Sequence, residues 1–382
     1  MVWNILKLML TRWLSMKRWN NFPRIEDVSH LDNVWFVMHV SLFLAYLEEK
    51  DWAKIDREFL LKRIIFNSFS GLILSDISSW TRDYILKIND TVFSEIENKA
   101  FDFLLSQDAP EYIKKDIKDV LNNKEKKLEL FIIEASKKYA WYMECKINEK
   151  VFWDIYEVPL NQINLYLEDK RIDLKSLDIL LKNDNYKKYL THIRRLSHSM
   201  RWNQNKRIFP ISVMSHLVVI TFISYIIWKI ENDSWANYDI QELMLRSVYH
   251  DIPEAITWDI ITPTKKAVEW FEEVLEKVEI KMMDDYIFSY VDLEYKEEVF
   301  DYMLYPFDWE LWKIAKHADI LSALFEAKIE RNFWWKIFGE IYRNIKKVVN
   351  KYWTKSVDYL LKNGIDSFDE KLWDINLWNI KK

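Results

Sequence analysis

Only 3 glycines and 7 prolines punctuate 382 residues, and that scarcity constrains the fold more than any motif does. Tight turns and strand boundaries draw on those two residues, so a chain this poor in them is expected to run in long helices. Apolar residues recur at three- and four-residue spacing. Between Tyr286 and Phe300, for example, Ile287, Tyr290, Val291 and Tyr295 share one helical face among acids and lysines. Thr262-Pro263 reads as a helix start, with Thr as N-cap and Pro at the first position, opening an amphipathic helix from Lys265 to Asp285. The expected fold class is all-α, with Ile155 to Val158 the one place where short strands stay open.

The glycine deficit has a counterpart in tryptophan. The chain carries 20 Trp, whereas average glycine usage would give about 27 Gly. Trp also stands where glycine chemistry is natural, as at Trp235, Trp258, Trp334 and Trp335. One reading is a gene that uses UGA for glycine, written here with UGA as tryptophan; the other is a protein that is truly rich in Trp. UGG codons at 258, 334 and 335 would exclude the first.

Length sets a prior of two domains. Half of the residues are apolar and the net charge is −5, so nothing pulls the chain toward nucleic acid or an anionic membrane. The single cysteine, Cys145, excludes an intrachain disulfide and fits a reducing, cytoplasmic setting. Met1 to Phe22 mixes basic and apolar residues and reads as an amphipathic helix rather than a signal peptide. Ile208 to Trp228 is 21 residues without a formal charge, long enough to span a bilayer. Its Pro, Ser, Thr and His residues, and its occurrence only once, favour a buried core helix, so no membrane is expected.

Chemistry concentrates in the second half. His216 lies inside that apolar run. His250-Asp251 is an adjacent pair, Glu254 follows one helical turn later, Asp259 and Lys265 come just beyond, and Asp319 sits in Lys316-His-Ala-Asp319. Two imidazoles and two carboxylates suit one divalent ion, and the mixed nitrogen and oxygen donors disfavour Ca. His250, Asp251 and Glu254 are spaced to share one helical face, with Pro253 arguing for a kink or an end there. Neighbouring residues on a helix point about 100° apart, so His250 and Asp251 can share an ion only in a groove between helices.

The region from about Arg194 to Ile341 resembles the HD-domain metal-dependent phosphohydrolases, most closely their 5'-nucleotidase-like branch. Six elements match in order: Arg201-Trp202, His216, His250-Asp251-x-x-Glu254, Thr257-x-Asp259, Pro263-x-Lys265 and Lys316-x-Ala-Asp319. Trp258 departs from the pattern, which commonly has Gly or a polar residue there. The resemblance implies an HD-type helical bundle in residues 191–382 and one divalent ion (Mn, Co, Zn, Fe or Mg) held by His216, His250, Asp251 and Asp319. It further implies hydrolysis of nucleoside 5'-monophosphates, deoxyribonucleotides favoured. Arg201 would clamp the phosphate, Lys265 would add positive charge, Trp202 would pack on sugar or base or simply in the core, and Glu254 would move the proton. Asp259 would contact the sugar hydroxyl or leaving group. Only His317 follows His250 among the histidines, and this argues against two-metal relatives. Two other readings stay open: hydrolysis of another nucleotide phosphate ester, or nucleotide binding without turnover. A homodimer is a further expectation of the resemblance, with no interface legible.

Residues 1–150 carry weak echoes of the second half. Arg18-Trp19-Asn20 answers Arg201-Trp202-Asn203, Asn67-Ser68 falls at His250-Asp251, Glu144 answers Glu326, and Lys137 falls at Asp319. Amide, hydroxyl and ammonium groups cannot reproduce the ligand set. The expectation is a degenerate, metal-free HD-like domain serving as a dimerisation or regulatory surface, or else an unrelated helical domain with chance similarities. Residues 151–190 would connect the two.

Overall fold

The structure, a computed structural model, describes residues 1–74, 77, 79–234, 237–258, 268, 270–308, 311–332, 335–351 and 354–366. Among them every regular element is a helix; the only β contacts are two isolated antiparallel bridges, Lys17 with Ser29 and Met200 with Ser212. The all-α expectation holds, and Ile155–Val158 lies within the helix Trp153–Lys170.

Two long helices, His30–Glu49 and Val213–Asn232, pack side by side at the centre. Both are apolar on all sides, and such helices belong in a core. Every residue from Val213 to Ile227 is buried. This second helix is long and apolar enough to cross a membrane, but 89% of the qualifying window is buried inside the fold. Each helix starts in the same way. Ser29 Oγ accepts from Asp32 N at 3.1 Å and Ser212 Oγ accepts from Ser215 N at 2.9 Å, satisfying N–H groups that the first turn leaves unpaired. The two caps also touch: Asp32 accepts hydrogen bonds from the hydroxyls of Ser29, Ser212 and Ser215, and Ser29 Oγ lies 3.1 Å from Ser215 Oγ.

Around this pair the two halves repeat one arrangement. Arg57–Ser68 and Ile240–Tyr249 pack on the central helices, each capped by an aspartate, Asp56 or Asp239. Lys127–Glu149 packs on the first central helix as Trp312–Arg331 packs on the second. Residues 151–190, expected as a connector, form the helices Trp153–Lys170 and Lys175–Lys182 and most of Asp184–Ile193, the first lying along Lys127–Glu149.

The N-terminal segment is helical as expected, but only over Val2–Leu8 and the wider turn Met9–Trp13, where Ile5, Leu6, Met9 and Trp13 are completely buried and Lys7 nearly so. One local expectation needs correction. Tyr286 to Phe300 is not one helix. Phe271–Tyr286 stops, a short turn follows, and Leu293–Leu304 restarts where Asp292 accepts from Tyr295 N at 2.9 Å. Asp292 is pinned there by the hydroxyls of Tyr46 and Tyr186, tertiary bonds that no local pattern announces. The expected start at Thr262-Pro263 lies outside the described residues.

Candidate metal and phosphate site

His216 sits in the first turns of the central helix, fully buried. Its Nδ1 faces Glu326 Oε1 at 3.1 Å and Ser322 Oγ at 3.1 Å. A carboxylate only accepts, so Nδ1 carries the proton and Nε2 presents its lone pair. His250 repeats the device from the end of Ile240–Tyr249: Nδ1 donates to the Ser247 carbonyl at 3.1 Å, again leaving Nε2 as the base. Neither Nε2 has a hydrogen-bond partner, and both are buried. Burial lowers the His250 pKa, keeping the ring neutral as a ligand requires.

Asp251 follows in the turn where the helix ends, and a separate short helix, Glu254–Thr257, begins after Pro253. The expected break at Pro253 is present, so these residues converge through a turn rather than along one continuous helical face. His216, His250 and Asp251 place one donor atom each within 4.8 Å of one another. Asp319, from Trp312–Arg331, brings Oδ1 to 3.3 Å from His216 Nε2, and His250 Nε2 is 3.3 Å from Asp251 Oδ2. Metal–ligand bonds of about 2.0–2.2 Å give donor–donor edges of roughly 3.0–3.5 Å. Two deprotonated imidazole nitrogens without partners and two carboxylates at such edges fit a divalent ion.

Cations flank both carboxylates. Lys316 Nζ donates to Asp319 Oδ2 at 2.7 Å, and Arg201 Nη1 lies 3.7 Å from Asp251 Oδ2. Burial alone would raise the Asp319 pKa, but Lys316, His216 and Arg201 together hold it well below the usual carboxylate range. For Arg201 the burial cost is outweighed by Glu326, Asp319, Asp251 and Glu254, and its pKa is raised.

Sequence reasoning used Glu326 only as an echo of Glu144 and missed its role. It is buried and accepts from Trp202 Nε1 at 2.9 Å and Arg207 Nη1 at 3.0 Å as well as contacting His216. Glu330, also buried, takes the backbone N–H groups of Ile208 and Phe209 at 2.9 Å each and so fixes the strap leading into the central helix. The four-residue spacing of Ser322, Glu326 and Glu330 along one helix was the available signal. Trp202 spends its indole N–H inside the site, beside Phe338 with ring centroids 6.1 Å apart. His317 points the other way, into an apolar niche with Leu321 and Val357, as expected of a non-ligand. Asp259 and Lys265 lie outside the described residues.

The first half places different chemistry in the same frame. One register carries the Lys17–Ser29 bridge onto Met200–Ser212, and Trp19 onto Trp202. Trp19 Nε1 donates to Glu144 at 2.7 Å as Trp202 does to Glu326. This register puts Asn33 at His216, Asn67 at His250, Ser68 at Asp251 and Gly71 at Glu254. The counterpart of His216 is therefore neither His30 nor His39.

The same family description, that of the YfbR-like 5'-deoxynucleotidases, matches the chain twice, over residues 6–171 and 188–368. The chain belongs to the YfbR-like 5'-deoxynucleotidase family. It is accordingly a hydrolase of HD-domain type, for which a divalent metal ion is expected. A 5'-deoxynucleotidase from Photobacterium profundum is 22% identical over 190 residues, covering 49% of this chain and 97% of its own length. One from Vibrio parahaemolyticus gives the same figures, and one from Photorhabdus temperata is 22% identical over 202 residues, covering 50% of this chain and 96% of itself. An HD-domain phosphohydrolase structure from Listeria innocua is 25% identical, with a TM-score of 0.44, over 49% of this chain and 90% of its own.

Proposed function

We propose that the second half hydrolyses deoxynucleoside 5'-monophosphates to the deoxynucleoside and phosphate. The observation that carries this reading is the pair of buried Nε2 atoms on His216 and His250, each oriented by a bond to its Nδ1 and each without a protein partner beside Asp251 and Asp319. When bound there, a divalent ion supplies a Lewis acid for a phosphate oxygen and lowers the pKa of a water. His216, His250, Asp251 and Asp319 would hold it. Arg201, half-buried between Asp251 and Glu326, offers a guanidinium to the phosphoryl oxygens. The oxygen of water attacks phosphorus, the bond from phosphorus to the 5' oxygen breaks, and the leaving alkoxide takes a proton. Glu254, one turn beyond the His-Asp pair, is the residue positioned to transfer it. Measuring phosphate release from ribo- and deoxyribonucleoside monophosphates with Mn, Co, Zn or Mg tests the reading. Metal-dependent release favouring deoxyribonucleotides is expected, and silence across the panel would refute it. Residues 1–150 form the degenerate counterpart without a metal, and the protein acts in the cytoplasm.

The native residue at positions 52 and 258 is, on the same reading, glycine. The non-glycine residues with positive φ among those described are Trp19, Trp52, Trp202 and Trp258. Trp19 and Trp202 use their indoles on buried glutamates, but Trp52 is 94% and Trp258 72% exposed. Trp258, at φ 66 and ψ 166, occupies a region open essentially to glycine alone. Sequencing the gene settles this: UGA at 52 and 258 is expected, and UGG at either overturns it for that position.

A further inference from the structure

The first half keeps a cavity where its metal site would be. It measures about 350 Å³, within the range of small-molecule sites. Six residues of its lining define its chemistry by their counterparts in the second half. Arg18 takes the place of Arg201, Asn33 of His216, Asn67 of His250, Ser68 of Asp251, Gly71 of Glu254 and Lys137 of Asp319. Every position that would ligate a metal now carries a neutral or cationic group, while the phosphate-facing arginine remains. Glu144 anchors Arg18 through both oxygens, at 3.4 and 3.3 Å, as Glu326 lies by Arg201 at 3.8 Å.

The balance of charge changes with these replacements. The described lining also contains Arg82 and Lys138 against one carboxylate, Glu134, which lies 3.8 Å from Lys137 Nζ. A divalent cation between carboxylates has been exchanged for an ammonium among amides and guanidinia, and such a pocket attracts an anion without any metal. Trp141 supplies a flat aromatic wall, with Lys138 Nζ 4.7 Å and Arg18 6.0 Å from its ring centre. Beside Gly71, Trp13 Nε1 and the lining His30 Nε2 are buried without hydrogen-bond partners. Gly71 leaves no proton-handling acid at the position of Glu254, and a Cβ built on it would lie in ordinary contact with them, at 3.6 and 3.8 Å.

We propose that this cavity is a metal-free binding site for a phosphate monoester of nucleotide size, which it holds without hydrolysing. Arg18 and Lys137 take the phosphate, the amides of Asn33 and Asn67 donate to it, and Trp141 faces the base or sugar. Nothing in this assignment depends on turnover in the second half, so the two readings fail separately.

Calorimetric titration of the full chain, stripped of metal by chelator and carrying Arg201→Ala to disable the other clamp, tests it. The probes are inorganic phosphate and deoxyadenosine monophosphate. Saturable binding near one equivalent is expected, weakened at least tenfold by Lys137→Glu and several-fold by the milder Lys137→Gln, with the melting temperature of each variant confirming that it folds. Tighter binding of the nucleotide than of inorganic phosphate is expected, and equal binding of the two would overturn a nucleotide-sized site. Absence of saturable binding with either probe, or binding indifferent to both Lys137 substitutions, overturns the proposal.

Discussion

The two halves present the same scaffold with opposite electrostatics. In each, a serine-capped buried helix, an aspartate-capped helix and a long return helix converge, and an arginine-tryptophan pair closes over a buried glutamate. In the second half the groove between them holds two imidazoles and two carboxylates; in the first it holds two amides, a hydroxyl and an ammonium. Fold and ligand set are thus separable. The caps and the buried glutamate recur in both halves, and a handful of side chains sets the charge of the groove.

The sharpest way to break this comparison is to remove ligands from one half at a time. His250→Ala and Asp319→Ala should each lower phosphate release on the order of a thousandfold, the loss of several kcal/mol of metal-supplied stabilisation. Helical content by circular dichroism should be retained. Asn67→Ala and Ser68→Ala at the matching positions should leave the rate within about twofold of the starting protein, since surface and cavity changes away from the reacting atoms do not enter the barrier. Equal losses from both sets would abolish the distinction drawn between the halves.

A smaller effect is expected one step out from the ligands. Glu326→Gln removes the anion that fixes the proton on His216 Nδ1, and partners of this kind typically govern metal affinity by about 10–100-fold. Isothermal titration with Mn or Co reads the change. Glu144→Gln in the first half should leave metal affinity unaltered.

Smallest in rate but visible in stability are the strained tryptophans. Trp258→Gly should raise stability by about 1–3 kcal/mol by relieving a conformation that side chains avoid. Trp52→Gly, at φ 67, should give about 1 kcal/mol. Trp202→Gly, at a similar φ, should instead destabilise the fold, because it deletes a hydrogen bond to a buried carboxylate. Denaturant titration separates the three. A gain at 202 would show that backbone strain, not the indole contact, governs that position.

Much of this was legible in the chain itself. Sparse glycine and proline announced helices, and the ordered run from Arg201 to Asp319 singled out the imidazoles and carboxylates that the fold brings together. The lone His216 gained meaning only from its companions. What stayed hidden was tertiary. Glu326 sits one turn after Ser322 like any helix acid, and only packing turns it toward His216. Asp292 ends a helical pattern that Tyr290 and Tyr295 would have continued, through hydroxyls donated by Tyr46 and Tyr186 from distant parts of the chain. Asn33 has no sequence signal of its own; it becomes the counterpart of His216 only once the two serine caps are placed side by side.

Metal content tests the central claim most directly. The full chain, loaded with Mn or Co and passed through a desalting column, should retain about one ion. That ion should be lost in a His250→Ala/Asp251→Ala double variant and kept in Asn67→Ala/Ser68→Ala. Two retained ions, or one that survives the loss of His250 and Asp251, would contradict a single metal centre in the second half.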